Sequence, residues 1–202
     1  MNEQTSTQSY SLAALKAGDR AAFASMVGVH YELVYRLAIK MLGNPQDAED
    51  VLQETFIKAF KHVKDFDGRS SLSTWLYRIA TNEALMFLRR RNPQTFSIDE
   101  PAQDDGHDSE PLQIVDWCCI PEQELMSDEA QQYLDQATSR LPIGLRLVFV
   151  LRDIQGLSTR ETGEVLDLTD TAVKTRLSRA RLRLRNDLSG YYRERMPEER
   201  GA

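Results

Sequence analysis

The sequence predicts an all-α protein: two small helical domains joined by an acidic linker. Three observations carry that prediction. Apolar positions from Ser11 to Arg91 recur at helical spacing, with no alternating strand pattern. Every position from Asn92 to Ser139 then lacks Lys and Arg while twelve carry Asp or Glu. From Arg140 to Arg185 the balance reverses to ten basic and five acidic residues, a net of +5, within a stretch that has the layout of a helix-turn-helix. The formal net charge of -6 therefore averages opposed surfaces and says little about whether the C-terminal part meets a polyanion.

At 202 residues, with 41% hydrophobic and 28% charged, the chain can bury a core without disulfides or metals. "MNEQTSTQSY" lacks the character of a signal peptide, and no apolar run approaches the roughly 18 residues that cross a bilayer, so a cytoplasmic protein with no membrane insertion is expected. Cys118 and Cys119 are adjacent and cannot brace distant segments, and no suitably spaced His completes a zinc site. They read as reduced bystanders.

Taken in order, residues 1–10 are expected to be disordered and 11–92 to form the first domain. Leu33, Val34, Leu37, Ala38, Met41 and Leu42 make one apolar stripe, stopped by "GNP" at Gly43 to Pro45. The helix "DAEDVLQETFIKAFKHV" follows, with Val51, Leu52, Phe56, Ala59, Phe60 and Val63 expected inside. Asp47, Asp50 and Glu54 share a face away from much of that stripe, either as a solvated acidic face near a helix N-terminus or as a contact surface. After the polar loop "DFDGRSS", "LSTWLYRIATNEALMFLRRR" offers Trp75, Ile79 and Leu88 to a core. Tyr77, Arg78, Asn82 and Arg89 to Arg91 supply aromatic, amide and cationic groups elsewhere, a mixture suited to stacking on unpaired bases and pairing with phosphates.

Residues 93–122 read as the flexible linker, rich in acids and interrupted by Pro93, Pro101, Gly106, Pro111 and Pro121. The second domain is expected over 123–190, with a flexible tail at 191–202. In "GLSTRETGEVLDLTDTAVKTRLSRAR", Ser158 and Glu161 form a capping box, and Leu157, Val165 and Leu166 face inward. "DLTD" breaks the helix and offers Thr169 or Asp170 as the next cap. Val173, Leu177, Ala180, Leu184 and Leu188 then fall in one narrow sector at about 100° per residue. Lys174, Arg181 and Arg185 flank it on one side and Arg176, Arg179 and Arg183 on the other, with Thr175 and Ser178 between. Flanking cations for phosphates and short hydroxyls for base edges are what a helix in a major groove needs. Leu182 points away from the buried sector and has no place in that scheme.

Together, "DAEDVLQETFIKAF", "STWLYRIATNEALMFLRRR", "GLSTRETGEVL" and "TAVKTRLSRARLRLR" resemble, in that order, the bacterial sigma factors of the extracytoplasmic-function group. The resemblance spans Ser11 to Leu188 and implies a sigma region 2 followed by a sigma region 4, directing core RNA polymerase to promoters. It implies that the acidic helix docks on the clamp of the largest polymerase subunit through Asp47, Asp50, Gln53, Glu54 and Phe56. It assigns the melted -10 strand to Gly68, Arg69, Ser73, Thr74, Trp75, Arg78 and Asn82. The -35 duplex falls to Arg152, Ser158, Arg160, Lys174, Thr175, Arg176, Ser178 and Arg179. A flap contact with the second-largest polymerase subunit and a cognate anti-sigma factor are further partners that the resemblance implies.

Thr162, Gly163 and Asp167 depart from the common pattern of the helix-turn-helix, and Gly163 costs about 1 kcal/mol of helix propensity. Thr159 and Arg160 stand where the family has aromatic or acidic residues, which adds a cation near DNA. No nucleophile, base and oxyanion constellation, metal cluster or Gly-rich phosphate loop is legible, so neither enzymatic activity nor a cofactor or metal is expected. The acidic linker could thread a basic polymerase channel or shield the basic helix. Two other readings stay open: a helix-turn-helix regulator acting on duplex DNA without polymerase, and an N-terminal module that binds an inhibitor.

Overall fold

The computed structural model describes residues 10–91 and 128–195, and all regular structure among them is helical. The expectations for the first nine residues, the 93–122 linker, Cys118, Cys119 and the extreme C-terminus lie outside the described residues. The N-terminal bundle comprises α1 (Leu12–Lys16), α2 (Arg20–Leu42), α3 (Pro45–His62), a 3-10 turn (Val63–Asp65) and α4 (Leu72–Arg91). The C-terminal bundle comprises α5 (Asp128–Arg140), α6 (Ile143–Phe149), a π-helical turn (Val150–Ile154), α7 (Thr159–Leu166) and α8 (Asp170–Arg195). α8 thus runs five residues past the expected domain boundary, and Tyr10, expected in a disordered segment, holds His30 across 2.6 Å.

Local chemistry explains where the helices begin and end. Gly43 adopts a left-handed conformation that closes α2, and the next residue, Asn44, caps α3 by accepting from the Gln46 and Asp47 amides, with Pro45 in the first turn. The "GNP" stop is therefore also a start. Ser71 caps α4 by accepting from the Thr74 amide at 3.0 Å. Ser158 and Glu161 form the expected capping box on α7, and Thr169 is the residue that caps α8. Asp167 takes the left-handed conformation in the turn of the helix-turn-helix, at φ 55°.

Gly163 has a stronger reason than propensity. A Cβ there would stand 2.6 Å from the Leu168 carbonyl oxygen, so the close approach of α7 to its own turn requires a bare backbone.

Val34, Leu37, Ala38 and Met41 of α2 are buried against Val51, Leu52, Phe56 and Ala59 of α3 and Leu76, Tyr77, Ala80 and Ala84 of α4. The stripe Val173, Leu177, Ala180, Leu184 and Leu188 is buried throughout, with Val148 and Phe149 in the same C-terminal core up to Leu184. Two expectations are corrected. Trp75, Ile79 and Leu88 are only half-buried, because the inward face of α4 centres on Leu76 and Ala80; Tyr77, expected outside it, is 3% exposed. Phe60 is 43% exposed, since it sits about 80° around α3 from Leu52. The two bundles pack together: Leu147, Val150, Leu151, Leu157 and Val165 join the N-terminal core.

Polar groups cross the same seam. Tyr77 donates its hydroxyl to Gln155 Oε1 at 2.9 Å, Arg146 Nη1 donates to the Met41 carbonyl at 3.0 Å, and Lys40 pairs with Asp135. Burial pushes the Tyr77 hydroxyl pKa well up and holds the Arg146 guanidinium below its usual value. Gln155 Nε2 is buried without a partner, a cost of about 1–3 kcal/mol to the packed arrangement.

Candidate functional site

Three surfaces hold the residues singled out by the sequence. The first is the outer face of α3. Asp50, Gln53 and Glu54 are exposed, and among the described residues none has a hydrogen-bond or ion-pair partner. Asp47 differs: Arg91 Nη1 at the end of α4 reaches its Oδ2 at 2.6 Å, and its side chain is only 19% exposed. It ties the start of α3 to the end of α4 and is a weaker contributor to any outward acidic field. Phe56 is buried and lines a shallow, mostly apolar groove with Phe23, Gln53, Ile57, Phe60 and Lys61. Phe23 and Phe60 meet edge to face at 4.9 Å. Periodicity placed Phe60 in the core and passed over Ile57. The available signal was position, because both lie on the flank of α3 that Gln53 occupies.

The second surface is the loop before α4 and the outer side of that helix. Gly68 turns the loop with φ 77°, and Arg69 binds the Asp67 carboxylate through Nε at 2.5 Å. Those hydrogen bonds, first from the Arg69 amide and then from its side chain, hold the Asp67 carboxyl below its ordinary value. Trp75, Arg78 and Asn82 lie within about 60° of one another around α4. Trp75 rests its ring on Phe66 at 5.3 Å and stays half-exposed, while Arg78 and Asn82 are exposed and have no hydrogen-bond or ion-pair partner among the described residues. Ser73 is half-buried but lies roughly 140–180° from them around α4, so it does not share that face. Thr74 stands apart from this group: it is 4% exposed and its hydroxyl is 2.8 Å from Ser71 Oγ, so it stabilises the start of α4.

The third surface is the helix-turn-helix. Among the described residues Lys174, Arg176 and Arg179 have no hydrogen-bond or ion-pair partner, nor do Arg183 and Arg185, and Ser178 is half-buried between the cationic flanks. Thr175 donates its hydroxyl proton to the Thr171 carbonyl at 2.9 Å, leaving its lone pairs and methyl outward. Other cations are engaged. Arg152 donates to the Leu157 carbonyl, shaping the turn between the π-helical segment and α7. Arg160 pairs with Glu164 at 3.1 Å, and the Ser158 hydroxyl is occupied as a cap. The Ser158 hydrogen bonds, with the nearby Arg152 charge adding to them, lower the Glu161 pKa and keep that cap ionised.

Arg181, placed by periodicity on a phosphate-facing flank, is instead held by a bidentate pair with Asp153 at 2.7 and 2.8 Å. That pairing raises its pKa further. Asp153 lies within the π-helical turn, where the wider hydrogen-bond spacing alters the angular register of the side chains relative to a continuous α-helix. Leu182 is 45% exposed, and no described residue covers it.

Among the described residues no helix is long and apolar enough to cross a membrane, and no cluster of His, Cys, Asp and Glu could hold a metal ion.

The comparisons with known proteins match this two-part layout. The family model for sigma-70 region 2 matches residues 26–94 and that for sigma-70 region 4 matches residues 131–184. The chain is 39% identical over 174 residues to the ECF RNA polymerase sigma factor SigW of Bacillus subtilis, covering 86% of this chain and 92% of that one. It is 33% identical to the ECF RNA polymerase sigma-E factor of Haemophilus influenzae over 86% of this chain and 91% of that one. Among solved structures, CnrH in complex with the cytosolic domain of CnrY superposes with a TM-score of 0.64 at 26% identity, covering 89% of this chain and 95% of that one. The sigma factor RpoE of Bartonella quintana, in complex with the anti-sigma factor NepR, gives 0.62 at 26% identity over 83% and 96%. Both helical bundles, their order in the chain and the relatives that share them lead to one assignment: the chain belongs to the ECF sigma factors of bacterial RNA polymerase.

Proposed function

We propose that the protein holds core polymerase through α3 and grips a promoter at two places, the -35 duplex through α8 and the melted -10 strand through α4. The observation that carries this reading is the pairing of two unpartnered faces of opposite charge on linked bundles: Asp50 and Glu54 on α3, Lys174, Arg176 and Arg179 on α8. Charges without internal partners are free to meet external ones. The acidic face would meet the basic clamp surface of the largest polymerase subunit, and the apolar groove beside it would receive a nonpolar side chain of the same partner. Asp47 would support the face from within, through Arg91.

On the -35 element, Lys174 and Arg179 would contact phosphates while Thr175, Arg176 and Ser178 address base edges. Arg152, Ser158 and Arg160 would hold α7 and its turn in register and so act on DNA indirectly. On the -10 element, Trp75 would stack on an unpaired base while Arg78 and Asn82 meet backbone and base edge. Such stacking contributes about 1–3 kcal/mol per base, enough to offset an unstacking cost of a few kcal/mol. The chain would act in the cytoplasm with the polymerase, under an anti-sigma factor of the kind that RpoE of Bartonella quintana binds.

Run-off transcription with purified core polymerase tests the reading. Initiation that depends on both this chain and the promoter supports it. Tight specific binding by the free protein without initiation would favour a regulator that uses only the helix-turn-helix, a reading that leaves the α3 face without a role.

A further inference from the structure

The apolar groove on α3 lies at the opposite end of that helix from most of its acids. Asp47, Glu49, Asp50 and Glu54 fill the first half, whereas Lys58 and Lys61 stand in the second and Lys64 follows in the 3-10 turn. Phe23 of α2 closes the groove over Phe56, Ile57 and Phe60, with Lys61 at its edge. Lys58 is paired with Glu83, but Lys61 and Lys64 are exposed and have no hydrogen-bond or ion-pair partner among the described residues. The groove's volume of 390 Å³ falls within the range of about 300–1,000 Å³ typical of ligand pockets, so it takes several side chains rather than one. Its occupant should therefore be apolar and carry negative charge.

The chain itself holds such a segment. Between Pro111 and Pro121 seven of nine residues are apolar, yet the run follows Asp104, Asp105, Asp108 and Glu110 and contains Asp116. Leu112, Ile114, Val115 and Trp117 in water would form the kind of apolar patch that seeks cover.

The tethers on both sides are long enough. Arg91 is held at Asp47, beside the first turn of α3, and the groove residues Gln53 to Lys61 lie about 9–21 Å further along that helix. The 20 residues from 92 to 111 extend to about 65 Å. On the other side, the 10 residues from 118 to 127 extend to about 33 Å, against about 25 Å along α2 from Phe23 to Lys40, where Asp135 of α5 is anchored. A segment tethered in this way meets the groove at an effective concentration on the order of 1 mM, which favours it over a second copy of the chain in dilute solution.

We propose that residues 112–117 dock in this groove in the free protein, their apolar side chains against Phe23, Phe56 and Phe60 and the carboxylate of Asp116 beside Lys61. The docking itself rests on the groove, the charges and the tether. Its consequence rests on the promoter reading, in which polymerase takes the same groove: segment and polymerase then compete, and the apparent affinity for polymerase falls by the undocked fraction.

The test uses the full chain with Trp75→Phe, which leaves Trp117 as the single tryptophan. Acrylamide quenching of its fluorescence is expected to be several times weaker in the folded chain than in urea, and independent of protein concentration. Phe60→Asp and Ile57→Asp, both at exposed positions, should each raise quenching severalfold. Leu112→Asp should do the same, and should add nothing to Phe60→Asp if both act on one contact. Lys61→Glu should raise quenching less, and its combination with Asp116→Lys should restore shielding, a rescue that loss of fold would not give. Unchanged helicity by circular dichroism shows that each variant is folded. Trp117 as open to acrylamide in the folded chain as in urea, or shielded but indifferent to both Phe60→Asp and Ile57→Asp, overturns the docking. Shielding lost on dilution overturns it in favour of a second copy. With core polymerase, Leu112→Asp should tighten binding about fivefold, and unchanged affinity overturns the competition. A chain that does not bind core polymerase at all would instead overturn the promoter reading, while quenching in the free protein still decides the docking.

Discussion

The N-terminal and C-terminal bundles use their charges differently. On α3 and α4 two ion pairs, Asp47 with Arg91 and Lys58 with Glu83, join the helices, while Asp50, Glu54 and Arg78 project outward and, among the described residues, enter no hydrogen bond or ion pair. In the C-terminal bundle, Arg146, Arg152, Arg160 and Arg181 are all engaged by carbonyls or carboxylates of the same chain. The smaller bundle has less apolar surface to bury and leans on guanidinium groups, whose planar forks satisfy several acceptors at once. A net positive charge there is thus partly scaffold. The cations free to meet DNA are a subset, Lys174, Arg176, Arg179, Arg183 and Arg185 prominent among them.

This contrast can be broken most severely at α3. Asp50→Lys should weaken core polymerase binding on the order of 100-fold, as charge reversal at a complementary interface does, with little change in stability. An equilibrium titration with core polymerase checks the first part and a urea melt the second; unchanged affinity would remove the case for the acidic face. Gly163→Val comes next, because its Cβ would meet the Leu168 carbonyl. It should destabilise the C-terminal bundle by about 2 kcal/mol and weaken -35 binding through unfolding alone.

Smaller effects sharpen the division within α8. Arg179→Ala should leave the melting temperature unchanged, weaken duplex binding uniformly across sequences and reduce the salt slope by about one counterion. Asp153→Ala should do the reverse: it costs about 1 kcal/mol of stability, discounted because the pair is partly solvated, and frees Arg181 for added non-specific DNA affinity. Should Asp153→Ala leave stability untouched, the claim that this cation serves the fold would fail.

The smallest expected effect lies at His30. Burial beside Tyr10 lowers its pKa in the folded protein below the ordinary value of about 6.5, so the unfolded chain binds the extra proton first. This contribution to stability is full above pH 6.5 and declines as pH falls from there toward the folded pKa. His30→Gln should flatten that part of the stability-pH curve, as urea melts at a series of pH values would show.

Helix positions and the buried stripe of α8 were legible in the sequence, because periodicity and capping act over three or four residues. Ser158 with Glu161, and Val173 through Leu188, lie where spacing put them. So was the separation of an acidic face from a cationic one. Near misses such as Phe60 and Tyr77 came from reading stripes too widely: a residue 80° off centre is inside or outside according to what packs there.

What the sequence by itself determined is therefore the helical class, the two-part order, and the kinds of side chain available to polymerase and DNA. Tertiary structure alone decided which of those side chains are free. Arg91 reaches Asp47 across 44 residues, Arg181 reaches Asp153 across 28 after a π-helical turn, and Arg146 crosses 105 to the Met41 carbonyl. Local pattern sets which face of a helix a residue occupies, but an ion pair or hydrogen bond depends on what another part of the chain brings to that face. For the same reason the seam between the bundles had no signature in either bundle read separately.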